Sequence, residues 1–182
     1  MVLLDQLFVD KKHIQCILES ALLTTQVPLT INHLKQLFDG QLNNASIEAY
    51  LVDLQEVYQH RSIELVEVST GWRFQTQTKY QPYLDKINRE VSPKYSRAVL
   101  ETLTIIAYKQ PVTRGDIEAI RGVSVATEII KKLEDRGWIE VIGHRDVLGK
   151  PALLATTKKF LDDLSLKNLN ELPPLSTSKN PE

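Results

Sequence analysis

Hydrophobic positions recur every three or four residues through most of the chain, and twice the period drops to two. Lys11 to about Leu23 carries Ile14, Ile17, Leu18, Ala21 and Leu22 as one apolar stripe, the mark of an amphipathic helix. Gln26-Val27-Pro28-Leu29 breaks it. Thr30 then offers a helix cap, and Ile31, Leu34, Leu37 and Phe38 follow before Asp39-Gly40. A third helix starts at Asn44 or Ser46, with Ile47, Tyr50, Leu51, Leu54, Val57 and Tyr58 on one face. Alternation takes over at Ile63, Leu65, Val66 and Val68, turns at Thr70-Gly71, and resumes at Trp72 and Phe74, which predicts a two-stranded hairpin. Tyr80, Tyr83, Leu84 and Ile87 suggest a short closing helix with Pro82 in its first turn, where proline is tolerated.

Asn88 to Tyr95 is polar, contains Pro93 and reads as a linker; after it the order repeats. Ser96 can cap a helix holding Val99, Leu100, Leu103, Ile106 and Ala107. Pro111 ends it, because its ring blocks the backbone behind it. Thr113 and Asp116 stand in capping-box spacing, and Gly122 suits the positive φ that closes a short helix. Ser124 can cap a third helix with Val125, Ile129, Ile130 and Leu133, ended by Gly137. Trp138 to Ile142 predicts a strand, Gly143 to Pro151 a turn-rich loop, and Ala152 to Thr156 the return strand. Thr157 can cap a last helix with Phe160, Leu161 and Leu164, and from Leu172 onward the chain is too polar and proline-rich to pack. Pro28-Leu29-Thr30 lies 83 residues before Pro111-Val112-Thr113, and Leu34 and Leu37 then match Ile117 and Ile120. At the first strand the offset is 76, so the repeat is one of pattern rather than identity.

Three helices followed by a hairpin is the order of a winged helix-turn-helix. The expected fold is therefore mainly α with small β-hairpins (α+β), in tandem winged helix-turn-helix domains at residues 1–88 and 92–168, with a flexible tail at 169–182. In DNA-binding members the third helix enters the major groove, so a winged-helix DNA-binding transcriptional regulator is one functional expectation. The outer faces argue against it. No Lys or Arg occurs from Asn44 to His60, where Glu48, Ala49, Asp53, Gln55 and Glu56 are the predicted outward positions. Three carboxylates there repel phosphate. In the second unit Lys131 and Lys132 are balanced by Glu128, Glu134 and Asp135, and Ser124 to Asp135 offers no Arg, Asn or Gln for base edges. Weak non-specific DNA contact stays open, through His144, Arg145 and Lys150 on the hairpin. Protein contact is the better-supported expectation. The apolar surplus Leu3, Leu4, Leu7, Phe8 and Val9 points the same way: Leu4, Leu7, Phe8 and Ile14 are candidate dimer-interface residues, with folding back onto their own core as the open alternative.

Composition narrows the class further. At 182 residues, 42% hydrophobic and 25% charged, the chain can build one or two small cores. Its net charge of -1 hides an acidic first half: residues 1–85 hold 6 Lys and Arg against 10 Asp and Glu. One cysteine, Cys16, rules out an internal disulfide framework, fits a reducing compartment, and is expected to be partly buried. No apolar run approaches the roughly 20 residues of a membrane span, and the N-terminus lacks a secretory pattern. His13, His33, His60 and His144 lack metal-ligand spacing, and neither a P-loop nor a dinucleotide fingerprint is present. No enzymatic activity, metal or cofactor is expected.

The second half carries longer motifs. Leu100-Glu101-Thr102-Leu103, then Ile105 through Arg114 (Ile-Ile-Ala-Tyr-Lys-Gln-Pro-Val-Thr-Arg), and Ile120-Arg121-Gly122-Val123 resemble the signature of segregation and condensation protein B, ScpB. Arg136-Gly137-Trp138-Ile139, Gly143 through Pro151, Thr156 through Leu161 and Leu169-Asn170-Glu171-Leu172-Pro173 continue it, in order and spacing, over about Ser92 to Leu175. Lys150 stands where the family usually has Arg, and Leu154-Ala155 replaces an aromatic-Gly pair. The resemblance implies a non-enzymatic subunit of a bacterial SMC–ScpA–ScpB condensin-like complex, acting in chromosome condensation and partition during cell division. It further implies homodimers formed chiefly by the N-terminal domain, binding of the kleisin ScpA chiefly by the C-terminal one, indirect association with the SMC ATPase through ScpA, and a cytoplasmic, nucleoid-associated location without membrane contact. Candidate partner-binding residues, charged positions in or beside the motifs, are Arg114, Glu118, Arg121, Arg145, Asp146 and Lys150.

Overall fold

The computed structural model describes residues 11–87 and 95–175. Its helices and two small antiparallel hairpins divide into two compact units, Met1–Arg97 and Ala98–Glu182.

In the first unit, α1 (Lys11–Thr24) buries Ile14, Leu18 and Leu22, spaced at four residues on one stripe. Thr30 caps α2 (Ile31–Gln36) by accepting the His33 N–H, and Asn43 caps α3 (Asn44–Tyr58) by accepting the Ser46 N–H at 2.8 Å. Leu34, Phe38, Ile47, Leu51 and Leu54 meet the α1 stripe, and Leu65 and Trp72 close the core from the hairpin. Strands β1 (Ile63–Val68) and β2 (Gly71–Thr76) pair with Leu65 opposite Phe74. Leu29, just before the α2 cap, exchanges two 2.9 Å backbone bonds with Trp72 and so forms a third strand position beside β2. Gly71 permits this approach: its φ is +146°, and a Cβ there would run into the Leu29 carbonyl.

Some predicted core positions face out. Val57 and Leu37 are exposed, because each lies one residue, about 100° of helix, short of the buried Tyr58 or Phe38. Asp53 and Gln55 are half-buried instead of outward: Asp53 pairs with Lys11 at 2.6 Å, and Gln55 donates to the Leu65 carbonyl at 3.0 Å. Cys16, expected to be partly buried, is exposed on α1. The closing helix is a 3-10 turn, Thr78–Tyr80, running into α4 (Gln81–Leu84), and it buries none of its residues; Tyr83 and Ile87 point outward. The predicted linker falls almost wholly on residues 88–94, outside the described residues.

The second unit repeats the plan. Helix α5 (Arg97–Lys109) buries Val99, Leu103, Ile106 and Ala107 together with Thr102, whose hydroxyl donates to the Ala98 carbonyl. Leu100, predicted inside, is exposed. The Gln110-Pro111 peptide is cis. Thr113 and Asp116 form a complete capping box on α6 (Arg114–Arg121), and Gly122 closes that helix at φ +72°. Helix α7 (Thr127–Asp135) starts later than the predicted Ser124 cap; Ala126 occupies the cap without a side-chain bond, and the preceding Val125 N–H is taken by the Glu118 carboxylate at 2.9 Å. Strands β3 (Ile139–His144) and β4 (Ala152–Thr156) pair with a bulge between Val141 and Gly143, so β3 runs two residues beyond its predicted end. Val112 bonds Leu154 on the free side of β4, at 3.1 and 2.7 Å, as Leu29 bonds Trp72 in the first unit. Leu34 and Ile117 are both fully buried, and Leu37 and Ile120 both exposed, so the sequence repeat is matched position by position.

Thr157 caps α8 (Lys158–Asp163). The expected flexible tail is in part structured: Leu169–Glu171 forms a 3-10 turn capped by Asn168, and the Tyr108 hydroxyl donates to the Pro173 carbonyl. A backbone carbonyl suffices for that anchor, so the polar sequence does not prevent it. Residues 176–182 lie outside the described residues.

Candidate partner-binding groove

Where α6 and α7 face the second hairpin, a groove of about 340 Å³ opens. Thr127, Ile130 and Glu134 line one wall, at the i, i+3, i+7 spacing that places them on one stripe of α7. Val141, Pro151, Ala152 and Leu154 form the other wall and floor, and Arg114 stands at the first turn of α6. Leu154 is 4% exposed and Val141 is 47% exposed, so the apolar lining runs from the core out to solvent.

The charged residues at the rim are mostly engaged. Asp116 accepts two bonds from Arg145, at 3.0 and 2.7 Å, while its carboxylate also takes the Thr113 N–H at 2.8 Å. The Arg145 guanidinium, with the Thr113 amide, holds the Asp116 carboxyl down to about 2. A cap predicted from sequence therefore also ties α6 to the loop after β3. Glu118 accepts from Arg114 at 3.1 Å and from the Val125 amide, and these bonds, the amide first, lower its pKa. Arg114 also donates to the Thr127 hydroxyl at 3.2 Å.

Of the six candidate partner-binding residues, only Arg114 lines the groove. Glu118 and Arg145 serve the frame around it. The Arg121 side chain is 9% exposed and pairs with Glu101 at 3.3 Å, on α5. Asp146 and Lys150 are exposed at the hairpin end, beside a fully exposed Leu148. Sequence reasoning missed Thr127, Ile130, Glu134, Val141, Pro151, Ala152 and Leu154 as one surface; the stripe on α7 was the signal that could have found the first three. Ile14, expected at a dimer contact, is 2% exposed in the core of its own unit, because it shares the stripe of Leu18 and Leu22. Leu4, Leu7 and Phe8 lie outside the described residues.

Among the described residues, no three His, Cys, Asp or Glu side chains gather to hold a metal, and no helix is long and apolar enough to cross a membrane. The architecture defines a class: a mixed protein of helices with small antiparallel sheets, built twice, with an apolar groove in its second unit. Comparison with known proteins makes the class specific. The model of the segregation and condensation complex subunit ScpB family matches residues 16–175, and the chain belongs to that family. A segregation and condensation protein B homolog of Coxiella burnetii is 50% identical over 161 residues, 87% of this chain and 77% of that protein. The segregation and condensation protein B of Desulforamulus reducens is 39% identical over 160 residues, 87% of each chain. The crystal structure of ScpB from Mycobacterium tuberculosis is 33% identical and covers 87% of this chain and 98% of that one, at a TM-score of 0.42.

Proposed function

We propose that this chain is the non-enzymatic ScpB subunit of a bacterial SMC complex acting in chromosome condensation and partition. Its two units are winged helix-turn-helix domains, an assignment supported by the helix order and by the strand position shared by Leu29 and Val112. It works as a homodimer that holds the kleisin ScpA and, through it, meets the SMC ATPase in the cytoplasm at the nucleoid. Family membership supports the complex. The observation that carries protein binding, in preference to DNA binding, is the groove: its lining is mostly apolar, and Arg114, the cation that lines it, is already paired with Glu118. The exposed Glu48 and Glu56 of α3, a helix with no Lys or Arg of its own, support the same choice for the first unit.

Co-purification with ScpA tests this reading. The full chain is expected to elute with ScpA at a mass holding two copies of the chain, and a version ending at residue 88 to lose ScpA. Retention of ScpA by residues 1–88 alone would overturn the domain assignment. A gel shift on duplex DNA without ScpA, at about 0.1 M salt, would favour the regulator instead.

A further inference from the structure

We infer that the groove on the second unit takes a basic amphipathic helix of the partner, with a Lys or Arg of that helix set against Glu134. This rests on the proposed binding of ScpA and specifies the chemistry of the bound segment. The groove is apolar along Ile130, Val141, Pro151, Ala152 and Leu154, so a ridge of aliphatic side chains fits it. Its electrostatics then fix the sign of the charge beside that ridge. Arg114 is held by Glu118 and Arg145 by both carboxylate oxygens of Asp116, so an acidic segment has to compete with a pair already made to reach either of them. Lys131, on the same helix, does not line the groove. Glu134 does, is exposed, and makes no side-chain hydrogen bond or ion pair within the described residues. A cation brought beside it gains an attraction that costs no existing pair.

The test is fluorescence anisotropy of the full chain against labelled ScpA and labelled fragments that tile it. Glu134→Lys is expected to weaken binding about tenfold, and Val141→Asp by at least about as much, since it places a charge in the apolar wall. Glu128→Lys makes the same charge change on the same helix outside the groove lining, and is expected to stay within about twofold. Changing single Lys or Arg residues of the ScpA fragment to Glu is expected to yield one that restores affinity for Glu134→Lys. Unfolding midpoints identify any variant that has lost its fold, and Glu134→Lys, a surface change, carries the test alone if Val141→Asp fails. Wild-type affinity in both groove variants would overturn the inference while leaving ScpA binding intact. Equal losses in Glu134→Lys and Glu128→Lys would overturn it by showing a long-range charge effect. No binding by the wild-type chain would overturn the inference together with the reading beneath it.

Discussion

Asp116 joins three pieces of the second unit, and removing it in two stages separates what each contributes. In Asp116→Asn an oxygen can still accept the Thr113 amide, but the charge that attracts Arg145 is gone. The pair is partly exposed, with side-chain accessibilities of 33% for Asp116 and 42% for Arg145, so solvent screening leaves this loss at about 1 kcal/mol or less. Asp116→Ala removes the capping-box acceptor as well, which adds about 1 kcal/mol. A unit of this size loses roughly 4–8 °C of midpoint per kcal/mol, so the alanine variant should melt about 10 °C lower and the asparagine variant about half as far. Trp72 and Trp138 are the only tryptophans, so in a Trp72→Phe background fluorescence follows Trp138 and the second unit alone. The pH dependence has a definite sign. The folded carboxyl titrates at about 2, below its ordinary 3.8, so its contribution is complete above about pH 4 and is lost as pH falls toward 2. The gap between wild type and Asp116→Asn should therefore hold from neutral pH down to about 5 and close below 4. Equal midpoints at neutral pH, or a gap that widens in acid, would refute this account.

Two further outcomes follow from single contacts. Gly71→Ala should destabilise the first unit by about 2–3 kcal/mol, seen as an earlier denaturant midpoint, because it combines a positive φ with a collision on the Leu29 carbonyl. Glu118→Ala should speed hydrogen exchange of the Val125 amide by roughly tenfold or more while the buried core of helix α5 keeps its protection; unchanged exchange would mean that the carboxylate is not what holds that turn.

The elements were legible wherever a local rule governed them. Thr30, Thr113 and Thr157 cap their helices as their spacing foretells, and Gly122 takes the left-handed conformation at the end of α6. Errors arose where a tertiary partner replaced the local one. Ser124 is a good cap by type, but Glu118 reaches the Val125 amide from the helix before, and α7 begins three residues on. Leu100, Val57 and Leu37 belong by composition in a core, yet lie about one residue off the buried stripe, a distinction that apolar counting does not make. The groove was hidden for a different reason. Arg114, Ile130 and Leu154 are brought together by the fold, and no window of sequence contains them all.

The short backbone bridges at Leu29 and Val112 have a mechanical consequence. Each ties the residue just ahead of a capped helix to the inner strand of its hairpin, so that in each unit the hairpin and the helix start are stitched by two hydrogen bonds. A pull on the hairpin is thus passed to the start of that helix directly, without running through the third helix that separates them in sequence. In the second unit the Arg145 clamp on Asp116 loads the same helix from the far end of the hairpin. The start of α6 is therefore fixed to its hairpin at both strands, by two backbone bonds to β4 and by one ion pair to the loop after β3.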